Sequence, residues 1–513
     1  MNSNNKRIVK NSIFLLSRTV FLTLVTLYTL REVMSILGAE EFGLYTVVFG
    51  VVAMFSFLNS TMMSATQRFL SIAIGKNEIE EIKNNFYCSF FIHVFLSIFL
   101  ITIIYLLKDY LLNDILNING YQKEASLIYN FAIFSIFISL LQVPFSALIT
   151  AYEKMQAFAY LAIFEGLAKL MVVYFLVFFD YDKVITYSLC LTVITFFVFI
   201  INMLYCYVNF KEVLNNFSFK IQKIKLMFSK MLNFIGWSLI GNLSIVMRNQ
   251  GSNILLNIYF GLIVNTAFAI SLTVMGAISA LVASVSNAIN PQVFKLYAKG
   301  SLDKFYNLIL NGTKYYIYFL SLIITPIIFY MELILNIWLS EYPLYTVLFC
   351  QLMLILVVID SFSILLTTGI QANGNVKFNQ IVTGVLLCLP IPVTYYLFEI
   401  DFPVGTILYV FLVSSFLSIF TKLYFICRLT DFVFLKYINK VLLPGLMIII
   451  FNFVLMYILI NIIKTSYDFF DIILCFMLFY LLSPFAIFLV GLSSEEKISL
   501  KNIFFKKLGK NFS

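Results

Sequence analysis

An arginine stands in the middle of one of the oiliest stretches of the chain. Residues 242–257 read NLSIVMRNQGSNILLN, which surrounds Arg248 with Ser244, Asn249, Gln250, Ser252, Asn253 and Asn257. On an unbroken α-helix, Gly241, Ser244, Arg248 and Ser252 share one face, and Asn249, Asn253 and Asn257 form the adjacent stripe. A charge at the centre of a bilayer costs at least about 2.5–3.5 kcal/mol, so a cation there needs a ligand, a partner or water. A guanidinium is permanently charged and offers two parallel donors, a match to the oxygens of phosphate or carboxylate. Small and polar neighbours predict a wet cavity wall, with Ser244, Asn249, Ser252 and Asn253 lining it beside Arg248. The competing explanation is an arginine satisfied by carbonyls or amides between helices.

Other charges sit in similar surroundings. Arg18, Arg31 and Lys169 fall inside apolar runs. Glu165 and Lys169, in FEGLAKL, have the i,i+4 spacing of a pair on one helix face. They make either a static pair or a proton- or cation-coupling site. Asp360, in LVVIDSFS, has no cation within a helical turn. It is a candidate for proton uptake or for facing an inward arginine. The single histidine, His93, has no nearby partner in its apolar run and reads as packed core. The seven cysteines are scattered without a CxxC pair, so neither a disulfide framework nor a metal site is expected. There is no glycine-rich phosphate loop of the Walker type, no expected cofactor and no expected nucleic-acid partner.

These residues must be positioned by helices in lipid. The chain has 513 residues, 62% hydrophobic and 12% charged, against roughly 25% charged in soluble domains. Apolar runs of about 20 residues, the length that crosses a bilayer, predict fourteen spans. They fall near 11–37, 42–66, 86–107, 126–149, 157–179, 184–208, 231–259, 262–290, 309–338, 343–370, 377–398, 403–427, 440–463 and 468–491. The N-terminal basic stretch leads into a retained first helix rather than a cleaved leader. Fourteen alternating spans put 26 of the 34 lysines and arginines on one side, 4 on the other and 4 within spans. The side holding both termini, rich in Lys and Arg, is expected to be cytoplasmic. Arg68 ends the second span there and reads as an ordinary flanking cation or as a further site residue. The external loops are short, which excludes a sizeable external enzyme domain.

The two halves echo each other. QRFLSIAIGKNEIEEIKN (67–84) resembles QVFKLYAKGSLDKFYN (292–307), and ILGAEEFG pairs with YFGLIVNT so that Gly38 falls opposite Gly261, 223 residues later. Six spans separate each element from its counterpart, so the repeats run parallel, an arrangement found in transporters built from two rocking lobes. The expected organisation is an N-lobe (1–208), a basic amphipathic or solvated linker (209–230), a C-lobe (231–427) and two appended spans with a basic tail (428–513). At an offset of 223, Arg248 corresponds to Val25, which shares a helix face with Arg18 seven residues earlier. Pseudo-symmetry therefore points both arginines inward. Arg31, thirteen residues on and about 220° around the helix, faces elsewhere.

At this point the chain resembles the bacterial polysaccharide flippases, including those for O-antigen and capsule repeat units, within the multidrug/oligosaccharidyl-lipid/polysaccharide exporter superfamily. The carrying stretches are ILGAEEFGLYTVV, TQRFLS, IGKNEIEEIKNNF, ILNIWLSEY and TTGIQANGNVKFNQ. The resemblance implies an all-α integral membrane protein with two six-helix lobes. It also implies alternating access and export of an undecaprenyl-pyrophosphate-linked oligosaccharide across the bacterial inner membrane. Coupling to a proton or cation, contact with membrane lipids and polysaccharide polymerase partners follow from the same likeness. Arg18, Arg248 and Arg68 would meet the pyrophosphate. Two rivals remain open: a cation-coupled multidrug exporter of the same superfamily, and a membrane polysaccharide polymerase or ligase. Intramembrane cations outnumber Glu165 and Asp360, which favours an anionic substrate, and the short loops argue against the enzyme.

Overall fold

The computed structural model describes residues 3–493 and 496–497, apart from 77, 119, 153, 179–181, 216–240, 242, 340, 375–376 and 464–468. Most of the basic linker and the tail beyond 497 thus lie outside the described residues. Among the described residues helices are joined by short connections and no strand is present, and twelve helices are long and apolar enough to cross a membrane. The protein is an all-α multi-pass membrane protein. In lipid every backbone amide must be satisfied within its own helix, and long apolar helices do this.

The elements are α1 (Ser3–Ala53), α2 (Phe57–Gly75), α3 (Ile79–Leu106), α4 (Gln122–Ala151), α5 (Met155–Leu176), α6 (Lys183–Asn209) and α7 (Ser252–Phe260). They continue with α8 (Leu262–Ala298), α9 (Leu302–Phe329), α10 (Thr346–Asn373), α11 (Lys377–Glu399), α12 (Thr406–Leu429), α13 (Phe434–Ile463) and α14 (Phe469–Ala486). Twelve differs from the fourteen runs read in the sequence for two reasons. The first crossing helix joins two arms across Gly38, and only the end of the run near 231–259 is described. Gly38 has φ 74 and ψ 179, and Gly261 between α7 and α8 has φ 78 and ψ −173. This is a region essentially restricted to glycine. The two glycines paired by the repeat therefore carry one backbone conformation. The resemblance of 67–84 to 292–307 sets Gly75 opposite Gly300, and here the two differ: Gly300 has φ +68, whereas Gly75 ends α2.

Two compact units emerge. The first comprises 1–284, 338–349 and 377–414, and the second 285–337, 350–376 and 415–513. In the first, α4 is the central helix, packed against α2, α3 and α6. Phe145 of α4 is met edge-on by Phe86, Phe90 and Phe199. Polar groups between these helices are paired: Ser135 with Thr192 at 2.9 Å, and Thr66 with Ser89 at 2.8 Å. His93 is fully buried, with Nδ1 2.6 Å from the Ser89 carbonyl oxygen. It is packed core, as the sequence indicated. Asp182 caps α6 by accepting from the Ile185 amide at 3.1 Å.

In the second unit α9 packs along α13, with Phe305, Ile309, Ile317, Phe362, Leu423 and Tyr437 in its core. Asn452 of α13 donates to Ser321 of α9 at 3.0 Å and accepts from Ser483 of α14 at 2.5 Å. Beyond α14 the chain turns back onto α9. Lys314, 5% exposed, donates through its ammonium to both Glu496 carboxylate oxygens at 2.7 and 2.5 Å. Tyr315 and the Ser493 amide donate to the same carboxylate at 2.8 and 2.7 Å. The Tyr318 hydroxyl donates to the Gly491 carbonyl at 2.8 Å.

Candidate functional site

The first unit contains a cavity of about 530 Å³ between the second arm of α1 and helices α2, α4, α5 and α6. Its polar lining comes from Asn59, Ser135, Ser139, Gln142, Ser146, Thr195 and Glu165, set among Phe49, Met63 and Phe158. Each serine faces the cavity because α4 presents residues 132–146 at helical spacing along one wall. Asn59 donates to Ser139 at 3.0 Å, and its Oδ1 has no hydrogen-bond partner among the described residues. Such a pocket offers hydroxyl and amide groups to a polar guest and aromatic surface to its apolar faces.

Arg18 lies next door. It lines a second cavity, about 380 Å³, with Thr19, Thr23 and Thr26 of α1 and Thr273 and Gly276 of α8. Its guanidinium carbon stands 5.1 Å from the ring centre of Phe158, which also walls the larger cavity. Its Nε is buried without a hydrogen-bond partner among the described residues. A cation–π contact holds the guanidinium plane while leaving its edge donors to other partners. Glu165 is near enough to act on Arg18 electrostatically, and Lys169 donates to Glu165 at 2.6 Å. The i,i+4 pair expected from the sequence is thus formed, and one carboxylate serves two cations.

Arg248 is placed differently from Arg18. The helix before α7 opens into a single wide turn, Met247–Gly251, with i→i+5 bonding. Such a turn shifts the helical register beyond it, which the straight-helix reading of the stripe could not include. Arg248 is 6% exposed, and its guanidinium carbon lies 5.2 Å from the Phe411 ring centre. Glycines on either side allow close approach to α11: a Cβ on Gly241 would lie 2.1 Å from Gln380 Oε1, and one on Gly251 2.7 Å from Ile391. Arg248 belongs to neither cavity just described.

The polar stripe is also packed. Ser244, Ser252 and Asn253 are buried, and Asn249 is half-buried. Asn253 donates to the Thr46 carbonyl at 3.2 Å and receives the Asn265 amide at 2.7 Å on its side chain. Arg68 is exposed at the end of α2. Asp360 is half-buried in the second unit, where its carbonyl accepts from Ser363, whose hydroxyl in turn receives Lys422 at 2.8 Å. Lys422 lies 62 positions from Asp360, so no local pattern could have joined them. Gln142 and Asn59 were likewise missed, because single amides in apolar runs carry no spacing signal.

Comparison with known proteins places these features. The MatE family profile matches residues 17–175. No curated protein matches the chain. Solved structures do. The lipid II flippase MurJ in an inward closed conformation is 13% identical, covers 92% of this chain and 98% of its own, and superposes with a TM-score of 0.68. A multidrug resistance MATE family transporter of the MOP superfamily, inward-facing, is 12% identical over 82% of this chain and 98% of its own, with a TM-score of 0.64. A MOP superfamily transporter from Pyrococcus furiosus, described as having a binding pocket of reversed polarity, is 12% identical over 82% and 95%, with a TM-score of 0.61. At these identities the likeness is one of architecture: the MatE profile matches within the first third of the chain, and the fold is the one shared by MATE transporters and the lipid II flippase MurJ.

Proposed function

We propose that this chain is a flippase that moves a pyrophosphate-linked lipid oligosaccharide from the inner to the outer leaflet of a bacterial cytoplasmic membrane by alternating access. The observation that carries the reading is Arg18. Its guanidinium borders a threonine-lined cavity, is held over Phe158, and adjoins a larger, mostly apolar cavity whose wall also carries hydroxyl and amide groups. A phosphate would meet the guanidinium and hydroxyl donors, and a sugar would meet Asn59, Gln142 and the α4 serines. The coverage of 92% with MurJ, a lipid II flippase by its description, supports a lipid-linked substrate. The chain is read as a transporter rather than an enzyme. Arg248 and Arg68 are retained as further contributors of positive potential along the path, and both termini are placed in the cytoplasm by the charge count.

The multidrug reading has one observation in its favour: the larger cavity is mostly apolar and includes Glu165. Lys169 already occupies that carboxylate at 2.6 Å, so it has little negative charge to spare for a lipophilic cation. The test uses purified protein in liposomes with a fluorescent pyrophosphate-linked glycolipid, and in parallel a fluorescent lipophilic cation. Arg18→Ala is expected to slow glycolipid flipping about 10–100-fold, the loss of one charge-assisted contact of about 1.5–3 kcal/mol. Arg18→Lys should recover part of the rate. Unchanged flipping in Arg18→Ala, or transport of the cation with no glycolipid movement by the parent protein, would overturn the proposal.

A further inference from the structure

Where the hairpins α1, α7–α8 and the α3–α4 connection meet, three asparagine side chains are buried together. Asn257 and Asn265 are fully buried and Asn253 is 5% exposed. Asn257 Nδ2 donates to Asn265 Oδ1 at 3.0 Å, and Asn265 Nδ2 donates to the carbonyl and side-chain oxygens of Asn253 at 2.6 and 2.7 Å. The cluster then reaches two other elements. Asn257 binds both backbone groups of Asn117, accepting from its amide at 2.8 Å and donating to its carbonyl at 3.2 Å. Asn253 donates to the Thr46 carbonyl of α1 at 3.2 Å. Beside it, Thr266 donates to the Ala39 carbonyl at 2.5 Å.

Glycines let the backbones approach this closely. A Cβ on Gly43 would lie 2.1 Å from the Leu262 carbonyl oxygen, and one on Gly50 2.6 Å from Gln250 Oε1. Spaced i,i+7, the two glycines share one face of α1, the small-residue solution to helix packing in lipid.

We propose that this carboxamide cluster is a reversible latch closing the external end of the substrate path. It holds the second arm of α1 against α7 and α8 and releases when the path opens outward. The chemistry suits a latch better than a permanent seam. An apolar seam would have to expose hydrocarbon on opening, whereas amides exchange partners with water at small net cost. In the closed state the same amides must pair with one another, because an unsatisfied buried amide is costly. The three connections joined here, at residues 39, 117 and 262, are those the charge count puts on the external side. The second arm of α1 that the latch holds also lines the larger cavity through Phe49, Val52 and Ala53. The inference rests on alternating access but on no particular substrate.

The test reads accessibility. A cysteine at Ala53, in the cavity wall, is probed in intact cells with an impermeant maleimide, and the parent protein without that cysteine gives the background. Asn257→Leu keeps the volume and removes the amide; labelling of Ala53→Cys from outside should rise about ten-fold. Gly43→Ala perturbs the same closure by steric conflict and carries the same expectation if Asn257→Leu does not accumulate. A third measurement leaves the asparagines at 257 and 265 in place: a Thr46→Cys/Asn253→Cys pair should be joined by a short bismaleimide, and joining it should suppress external labelling of Ala53→Cys. Labelling within two-fold of the parent in the accumulating variants, or unchanged labelling after the pair is joined, would overturn the latch. Because no substrate is used, a negative result here leaves the Arg18 experiment standing, and the reverse also holds.

Discussion

The pair between Lys314 and Glu496 gives the most quantitative expectation. Lys314 lies within α9, its side chain 7% exposed, and Glu496 approaches with a side chain 15% exposed. Glu496→Gln preserves shape but leaves the ammonium buried without its counter-charge, which typically costs about 3–5 kcal/mol. With 15% exposure of the carboxylate, the lower end of that range, about 3 kcal/mol, is expected. For a unit of this size that corresponds to a fall of roughly 6–12 °C in melting temperature, measurable by fluorescence-detected thermal unfolding in detergent. The double variant Lys314→Met/Glu496→Leu should return most of the loss, because replacing both charges by apolar groups is often near neutral.

A pH series tests the same pair from the other side. Burial alone would raise the Glu496 carboxyl, but hydrogen bonds from Lys314, the Ser493 amide and Tyr315, with the Lys314 charge, hold it at about 2, below the ordinary 4.5. A depressed folded pKa gives stability that is present above about pH 4.5 and is lost as pH falls through about 2. The parent should therefore lose stability across that window more steeply than Glu496→Gln. If Glu496→Gln melts within 1 °C of the parent, and the two proteins share one acid profile, the strap does not hold α9 as argued.

Two further outcomes are expected besides those for Arg18 and the latch. Gly38→Ala places a side chain at φ 74, ψ 179 and should cost about 1–3 kcal/mol in thermal stability. Gly261→Ala should cost a similar amount, and a null effect at either would contradict the shared hinge conformation. Glu165→Gln leaves Lys169 inside an apolar span without its counter-charge and should cost about 2–3 kcal/mol in thermal stability. A loss below about 1 kcal/mol in a melting assay would show that the carboxylate is not what satisfies Lys169.

Much of the fold was legible because lipid imposes a simple length rule, and, apart from the run near 231–259, of which only the end is described, the runs read from the sequence fall on the observed helices. The Glu165–Lys169 pair was legible for an equally local reason, its spacing of four residues. What stayed hidden was non-local. Nothing near Asn257 announces Asn117, 140 residues away, and nothing near Lys314 announces Glu496, 182 away. Asn249 and Asn253 were read as cavity lining, and Asn257 as part of the same stripe, because a polar stripe on a helix looks the same whether water or another amide satisfies it. The wide turn at Met247–Gly251 was invisible for a different reason: Ser244, Arg248 and Ser252 keep the i,i+4 spacing of an unbroken helix, so residue types alone give no sign of the added residue. Arg18 was found indirectly, through the offset between repeats, and it lines the smaller of the two cavities described above.

The two last helices bear on how this protein can be cut or fused. Tyr437 of α13 donates to the Phe362 carbonyl, Gly445 lies against the Phe362 ring, and Asn452 completes Ser321. A shortened twelve-helix version would strip these complements from α9 and α10 and leave a bare polar notch facing hydrocarbon. Anyone seeking a minimal scaffold would have to re-upholster that face, with apolar side chains at Ser321 and its neighbours, before the remainder could be expected to insert.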